Sequence, residues 1–194
     1  MQFTKLVSFA LAFLSFGLFA LAAPLTKDVA LAARCNCNDD VVVNAFVGLQ
    51  ADVEADVAVI TALVAKGDLT IADYEAAIVT LTAHINAVAD VLVKLPGLEV
   101  GAQADVIAKA CADILVSIFT VLNTCLFVPS FLSCPSLAGL DTAIAGLLVA
   151  LSACASGVLS IIVTLCLNIK VILNVNLFVF VKTLAVLVTA GLGL

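Results

Sequence analysis

Apolar residues return at intervals of three and four along most of this chain, the period of an α-helix with one buried face. Between Asp39 and about Leu95 the pattern is amphipathic. Phe46, Leu49, Val53, Val57, Ile60 and Val64 form one stripe, while Asp40, Asn44, Glu54 and several alanines occupy other faces. Gly67 can take the left-handed conformation that ends a helix. Thr70 with Asp73 resembles a capping box, the shorter Asp replacing Glu, and predicts the start of a second helix. Along that helix Ile71, Tyr74, Ile78, Leu81, Ile85, Val88, Leu92 and Leu95 alternate three and four without a miss, until Pro96-Gly97 ends it. The two stripes predict an antiparallel helical hairpin held chiefly by their mutual burial.

A third helix is expected from about Gln103 to Val128. Ile107, Cys111, Ile114, Ile118, Val121, Cys125 and Val128 make its seam, and Asp105, Lys109 and Asp113 make an exposed stripe on its first turns. Beyond Asp113 its other faces turn apolar too, so the helix starts in water and ends buried. Pro129 and Pro135, with Ser130 and Ser133, then break the pattern.

From Thr142 to Ile169 no residue is charged. As one helix this run would be about 42 Å long at ~1.5 Å per residue, more than the ~30 Å hydrocarbon core of a bilayer. Within it Gly146, Ala150, Ala153, Gly157, Ser160 and Thr164 fall at helical spacing, a stripe of small residues suited to close helix packing in lipid or inside a soluble bundle. The following segment, Lys170 to Lys182 (KVILNVNLFVFVK), supports two readings. Val171, Leu173, Val175, Leu177, Val179 and Val181 would share one face of a strand, and NLFVFV would then be a self-pairing segment. The helix reading is favoured, because every other element is helical and a lone strand would have no partner within the chain. The expected fold class is therefore all-α: a disulfide-tied arrangement of about five helices, with an acidic amphipathic region at 39–113 and a very apolar region at 114–194. Within the latter, 142–194 is a candidate membrane hairpin.

The first residues read as an address. Lys5 supplies a basic start, Leu6 to Leu21 an apolar run, and Ala20 and Ala22 small residues at the positions a signal peptidase inspects, so residues 1–22 are expected to be a cleaved signal peptide. The mature chain would then begin at Ala23, or at Cys35 if Arg34 marks a processing site, and residues 23–38 form an N-terminal segment with Cys-x-Cys.

Composition sharpens the contrast between the halves. Residues AVILMFWYC make up 64% of the chain, against roughly half in ordinary soluble domains even with Gly counted. The net charge is −6, or −7 once Lys5 leaves with the signal peptide (−6 − 1), which argues against nucleic acid as a partner. Thirteen of the fourteen acidic residues lie between Asp28 and Asp113; from Ile114 onward the only charges are Asp141, Lys170 and Lys182.

All seven cysteines, Cys35, Cys37, Cys111, Cys125, Cys134, Cys154 and Cys166, lie in the expected mature chain. In an oxidising compartment six of them are expected to pair, with Cys35 and Cys37 pinned to later elements; the connectivity is not deducible from spacing, and the alternative for Cys154 and Cys166 is that they are simply buried thiols. A metal site is not expected from one Cys-x-Cys and a single histidine. Catalytic motifs are absent: G-x-S-x-G, G-x-x-x-x-G-K and H-E-x-x-H do not occur. His84 reads as a solvated or lightly hydrogen-bonded helix-surface histidine, and Asp39-Asp40 and Asp52, Glu54 and Asp56 as helix N-terminal charge and solvated face. No enzyme, cofactor or metal is expected.

The leader, the RCNCNDD stretch, the alanine- and valine-rich helix pair and the apolar, cysteine-bearing second half resemble, in style, uncharacterised small secreted or transmembrane-annotated proteins of filamentous fungi. No diagnostic motif carries that resemblance, and it implies no site residues. Two function classes follow from the residues. The leading expectation is a non-enzymatic protein of the secretory pathway embedded in the cell-surface membrane through 142–194, its partner the lipid bilayer. The alternative is a secreted helical bundle that acts at cell walls or apolar surfaces and self-associates.

Overall fold

The computed structural model describes residues 37–66, 70–95, 103–125, 131, 134–155, 157–166 and 180–191, with side chains from residue 40 onward. The expected signal peptide, the alternative start at Cys35, the side chain of Cys37, Gly67, Pro96-Gly97, Val128, Pro129 and residues 170–179 of the two-way segment lie outside the described residues. Those described form six helices and no strand. They are α1 (Cys37–Lys66), α2 (Ile71–Lys94), α3 (Ala104–Cys125), α4 (Ser136–Cys154), α5 (Val158–Leu165) and α6 (Val181–Thr189).

The hairpin forms from the stripes that predict it. Phe46, Leu49, Val53, Val57 and Ile60 of α1 are buried, as are Tyr74, Ile78, Leu81, Ile85, Val88 and Leu92 of α2. At the start of α2 the backbone N–H and hydroxyl of Thr70 both donate to Asp73 Oδ2, at 3.1 and 2.7 Å. These bonds hold the Asp73 carboxyl below its ordinary pKa. The seam of α3 is buried from Ile107 through Cys125, joined by Leu115, Phe119 and Leu122 from its other faces. Of its expected exposed stripe, Asp105 and Lys109 face solvent but Asp113 is half-buried. Desolvation raises its pKa, and Lys109 only partly counters this.

Each helix finds neighbours around a shared core. α1 packs beside α2, α2 beside α4, α4 beside α5, α5 beside α3, and α3 beside α1; α6 lies on α4. The closest association is between α2 and α4, so the acidic half and the apolar half are not separate bodies. An edge-to-face pair, Tyr74 on Phe131 with centroids 5.5 Å apart, ties α2 to the stretch before α4.

Two expectations about the apolar half change. The uncharged run from Thr142 is not one helix: α4 stops at Cys154, and Gly157, at φ +87°, sets the chain into α5 in a new direction. A left-handed backbone is what glycine alone adopts without a steric cost from Cβ. The disulfide-tied framework is also not what the described cysteines form. Cys111, Cys125, Cys134, Cys154 and Cys166 are free and buried. The reason lies in their placement: Cys111 and Cys125 occupy the seam of one helix about 21 Å apart along its axis, and each behaves as a small apolar core residue. Cys154 donates its thiol to the Leu92 carbonyl at 2.8 Å, and Cys134 Sγ lies 3.0 Å from the Ser136 hydroxyl. Burial pushes the Cys125 and Cys166 thiols up to about 12, and Cys111 is raised further for the same reason, so these three are not poised as nucleophiles.

Candidate functional site

Two buried carboxylates organise the polar chemistry of the described residues, and sequence pattern marks neither as buried. Asp56 sits one residue before Val57 of the α1 stripe and is only 8% exposed. Its Oδ2 accepts from His84 Nδ1 of α2 at 2.8 Å. The pair spans 28 residues of sequence and joins the two arms of the hairpin on the margin of its core. Asp56 is thus not part of a solvated acidic face, whereas Asp52 and Glu54 are exposed. Among the described residues no hydroxyl or thiol hydrogen-bonds to the imidazole, so the geometry offers a helix-to-helix bridge rather than a nucleophile and its base.

The second carboxylate, Asp141, lies in α4 and is 4% exposed. Both of its oxygens are used. Oδ2 accepts from the backbone N–H of Lys182 at 3.0 Å and Oδ1 from that of Thr183 at 2.8 Å. The Thr183 hydroxyl donates to the Asp141 carbonyl at 3.2 Å, and Lys182 Nζ donates to the Thr142 hydroxyl at 2.8 Å. Phe180, the residue at the cap position of α6, has no oxygen to offer the free amides of the first turn. Asp141 takes that role from another helix, and as an anion it also meets the positive end of the α6 dipole. The two described charges of the apolar half, Asp141 just before the candidate hairpin and Lys182 within it, are therefore parts of one docking contact.

The stripe of small residues points mostly outward. Gly146, Ala153, Gly157, Ser160 and Thr164 are exposed and only Ala150 is buried. A Cβ added at Gly146 would meet nothing within 4 Å, so that glycine is not there to admit a neighbour from among the described residues. The packing of α4 instead uses its large residues, Leu137, Leu140, Ile144, Leu147, Leu148 and Leu151. No cluster of three or more His, Cys, Asp or Glu side chains among the described residues could hold a metal ion.

Surface chemistry differs between neighbouring parts of the molecule. Exposed residues of α1 and α2 include Asp40, Asp52, Glu54, Lys66, Asp73, Asp90 and Lys94. On α4, α5 and α6 the exposed positions are Ala138, Gly139, Thr142, Gly146, Val149, Ser160, Leu165, Val181 and others like them, with Lys182 the only charge. Among the described residues two helices, α2 and α4, are long and apolar enough to cross a membrane, and in α4 most of the apolar window is buried inside the fold. Comparison of the sequence with known protein families and with curated proteins finds no match.

Proposed function

We propose that this chain is a non-enzymatic, surface-acting protein of the secretory pathway that meets lipid, wax or cell-wall material as a folded helical bundle. Its charge-poor α4–α6 surface would turn toward the apolar phase and its acidic α1–α2 surface toward water. The observation that carries the reading is this asymmetry of charge, set on a bundle that buries most of its large apolar side chains and leaves single valines exposed on both surfaces. An uncharged surface of Ala, Gly, Thr and Val loses little hydration energy at an apolar boundary, while the acidic surface keeps the particle soluble and oriented. The expected leader at 1–22 would supply the route; the resemblance in style to small secreted or transmembrane-annotated fungal proteins is compatible with this reading and with the next.

A second reading, an integral membrane protein anchored through the apolar half, is favoured by the length and apolarity of α4. Against it stand the break at Gly157, the inward direction of the leucines of α4, and Asp141 and Lys182 at the α6 contact. A buried charge in lipid is expensive unless it is compensated, and Asp141 takes its two amide donors from a helix that the folded bundle sets in place.

One fractionation experiment separates the two. Expressed in a eukaryotic host, the protein is expected in the medium as a compact, detergent-free species that adsorbs to oil droplets or wax. Retention in the membrane pellet through alkaline carbonate, with release only by detergent, would overturn the surface-acting reading in favour of the anchor.

A further inference from the structure

The six helices are not equally attached. α2 buries seven residues along its length, whereas α6 has nine residues and buries two of them, Thr183 and Leu187. Its first residue, Val181, is 59% exposed, and Ala185, Val188 and Thr189 also face solvent. Among the described helices its one substantial packing neighbour is α4. An isolated helix shorter than about 12–15 residues is marginal in water, so α6 is helical only while it is docked. The docking has three parts. Leu187 packs into the core; the Phe180 ring stands edge-on to Phe119 of α3, with centroids 5.1 Å apart; and Asp141 caps the first turn from 41 and 42 residues away. Because the cap comes from α4 and not from the sequence beside α6, undocking removes it, and loss of the cap favours undocking. Docking and helix formation are therefore one event, and local opening of this kind is set by the few contacts that hold a unit in place.

The surface beneath α6 is apolar. Asp141 shares its face of α4 with Ala145 and Leu148, at i+4 and i+7, both buried. Phe119, which meets Phe180, is fully buried. We propose that α6 is a detachable cover, latched by Asp141, and that the face of α4 beneath it is the surface that adsorbs to an apolar phase. This inference rests on the surface-acting reading and adds a second step to it: the outer α4–α6 surface of the folded bundle makes the first contact, and the face beneath α6 makes the lasting one. In water the cover keeps the apolar face hidden. At an oil or lipid boundary the phase replaces α6 against Ala145, Leu148 and Phe119, while α1, α2 and α3 keep their packing. Asp141 loses its two amide donors on release and regains hydrogen bonds from water at the edge of the contact.

The test is amide hydrogen exchange of the full mature chain, free and on oil droplets, combined with the rate of adsorption, for the wild type and for Asp141→Asn and Leu187→Ala. The second variant loosens α6 without touching the latch. In free wild-type protein the amides from Leu184 to Ala190 are expected to exchange at least tenfold faster than those from Leu81 to Val88. On droplets they should lose protection while the α2 amides keep theirs. Each substitution should speed both α6 exchange and adsorption, by on the order of tenfold or more for loss of a charge-assisted bond or a buried side chain. Exchange of α6 only together with α2, or adsorption unchanged by both substitutions, would overturn the cover while leaving the surface-acting reading in place. Failure of every variant to adsorb would overturn both.

Discussion

The α1–α2 hairpin and the α4–α6 contact each join two helices through a carboxylate, yet they are built in opposite ways. In the hairpin the apolar stripes do most of the holding, and the Asp56–His84 bridge sits at their margin with its histidine partly open to water. At the α4–α6 contact only Phe180 and Leu187 supply fully buried apolar side chains from the α6 side, and Asp141 fixes the geometry, both oxygens engaged and screened from solvent. The comparison teaches where polar groups decide a structure. Next to a long seam a polar pair is an addition; beside a short helix it determines whether the helix exists.

The largest expected effect tests whether the two regions share one core. Phe119→Ala removes a fully buried ring that meets Phe180 and should cost about 3–5 kcal/mol, read as a lowered midpoint in a single denaturant transition. Two separate transitions, with the hairpin unmoved, would show that the regions fold independently and break the comparison as drawn.

The carboxylates themselves come next. Asp141→Ala should cost about 2–3 kcal/mol, since it leaves the Lys182 and Thr183 amides without a partner. Asp56→Ala should cost about 1 kcal/mol, because its bridge is partly solvated. Equal losses in chemical denaturation would mean that the seam and the latch are not the distinction proposed.

Two glycines sharpen the account of the apolar half, because they should respond with opposite signs. Gly157→Ala forces a Cβ into left-handed backbone and should destabilise by about 1–2 kcal/mol. Gly146→Ala, in mid-helix with open space around it, should stabilise by about 0.5–1 kcal/mol. Thermal melts of the dilute protein decide both. A loss at Gly146 would reveal a backbone packed against that face.

The smallest effect concerns Asp113, whose pKa is raised chiefly by desolvation. A carboxyl with a folded pKa above its unfolded one favours the fold below the unfolded value near 3.8 and loses that contribution as pH rises through the folded value. Asp113→Asn should therefore stabilise the protein at pH 7 relative to pH 3, by no more than about 0.5 kcal/mol because the group is partly hydrated. Melting temperatures of both proteins at the two pH values provide the check; a destabilised variant at pH 7 would reverse the sign assigned to this site.

What the sequence determined by itself is everything that depends on spacing along one helix. The seams of α1, α2 and α3, the Thr70–Asp73 cap and the all-helical class all follow from contacts between residues three or four apart, and polar residues on the outer faces told each helix which side to bury. Tertiary structure decided the rest. In α4 nearly every face is apolar, so periodicity had no polar side to subtract, and the small residues of the Gly146–Thr164 stripe, all but Ala150, face away from the core that the leucines fill. The cysteines read as disulfide partners from compartment and number, but pairing is a matter of distance and direction, and the five that are described are unpaired core residues. Asp56 with His84 and Asp141 with α6 are joined across 28 and 41–42 residues. No local rule brings such groups together; a carboxylate becomes a bridge or a cap only where the packing of two helices sets donors within reach and keeps water from competing for them.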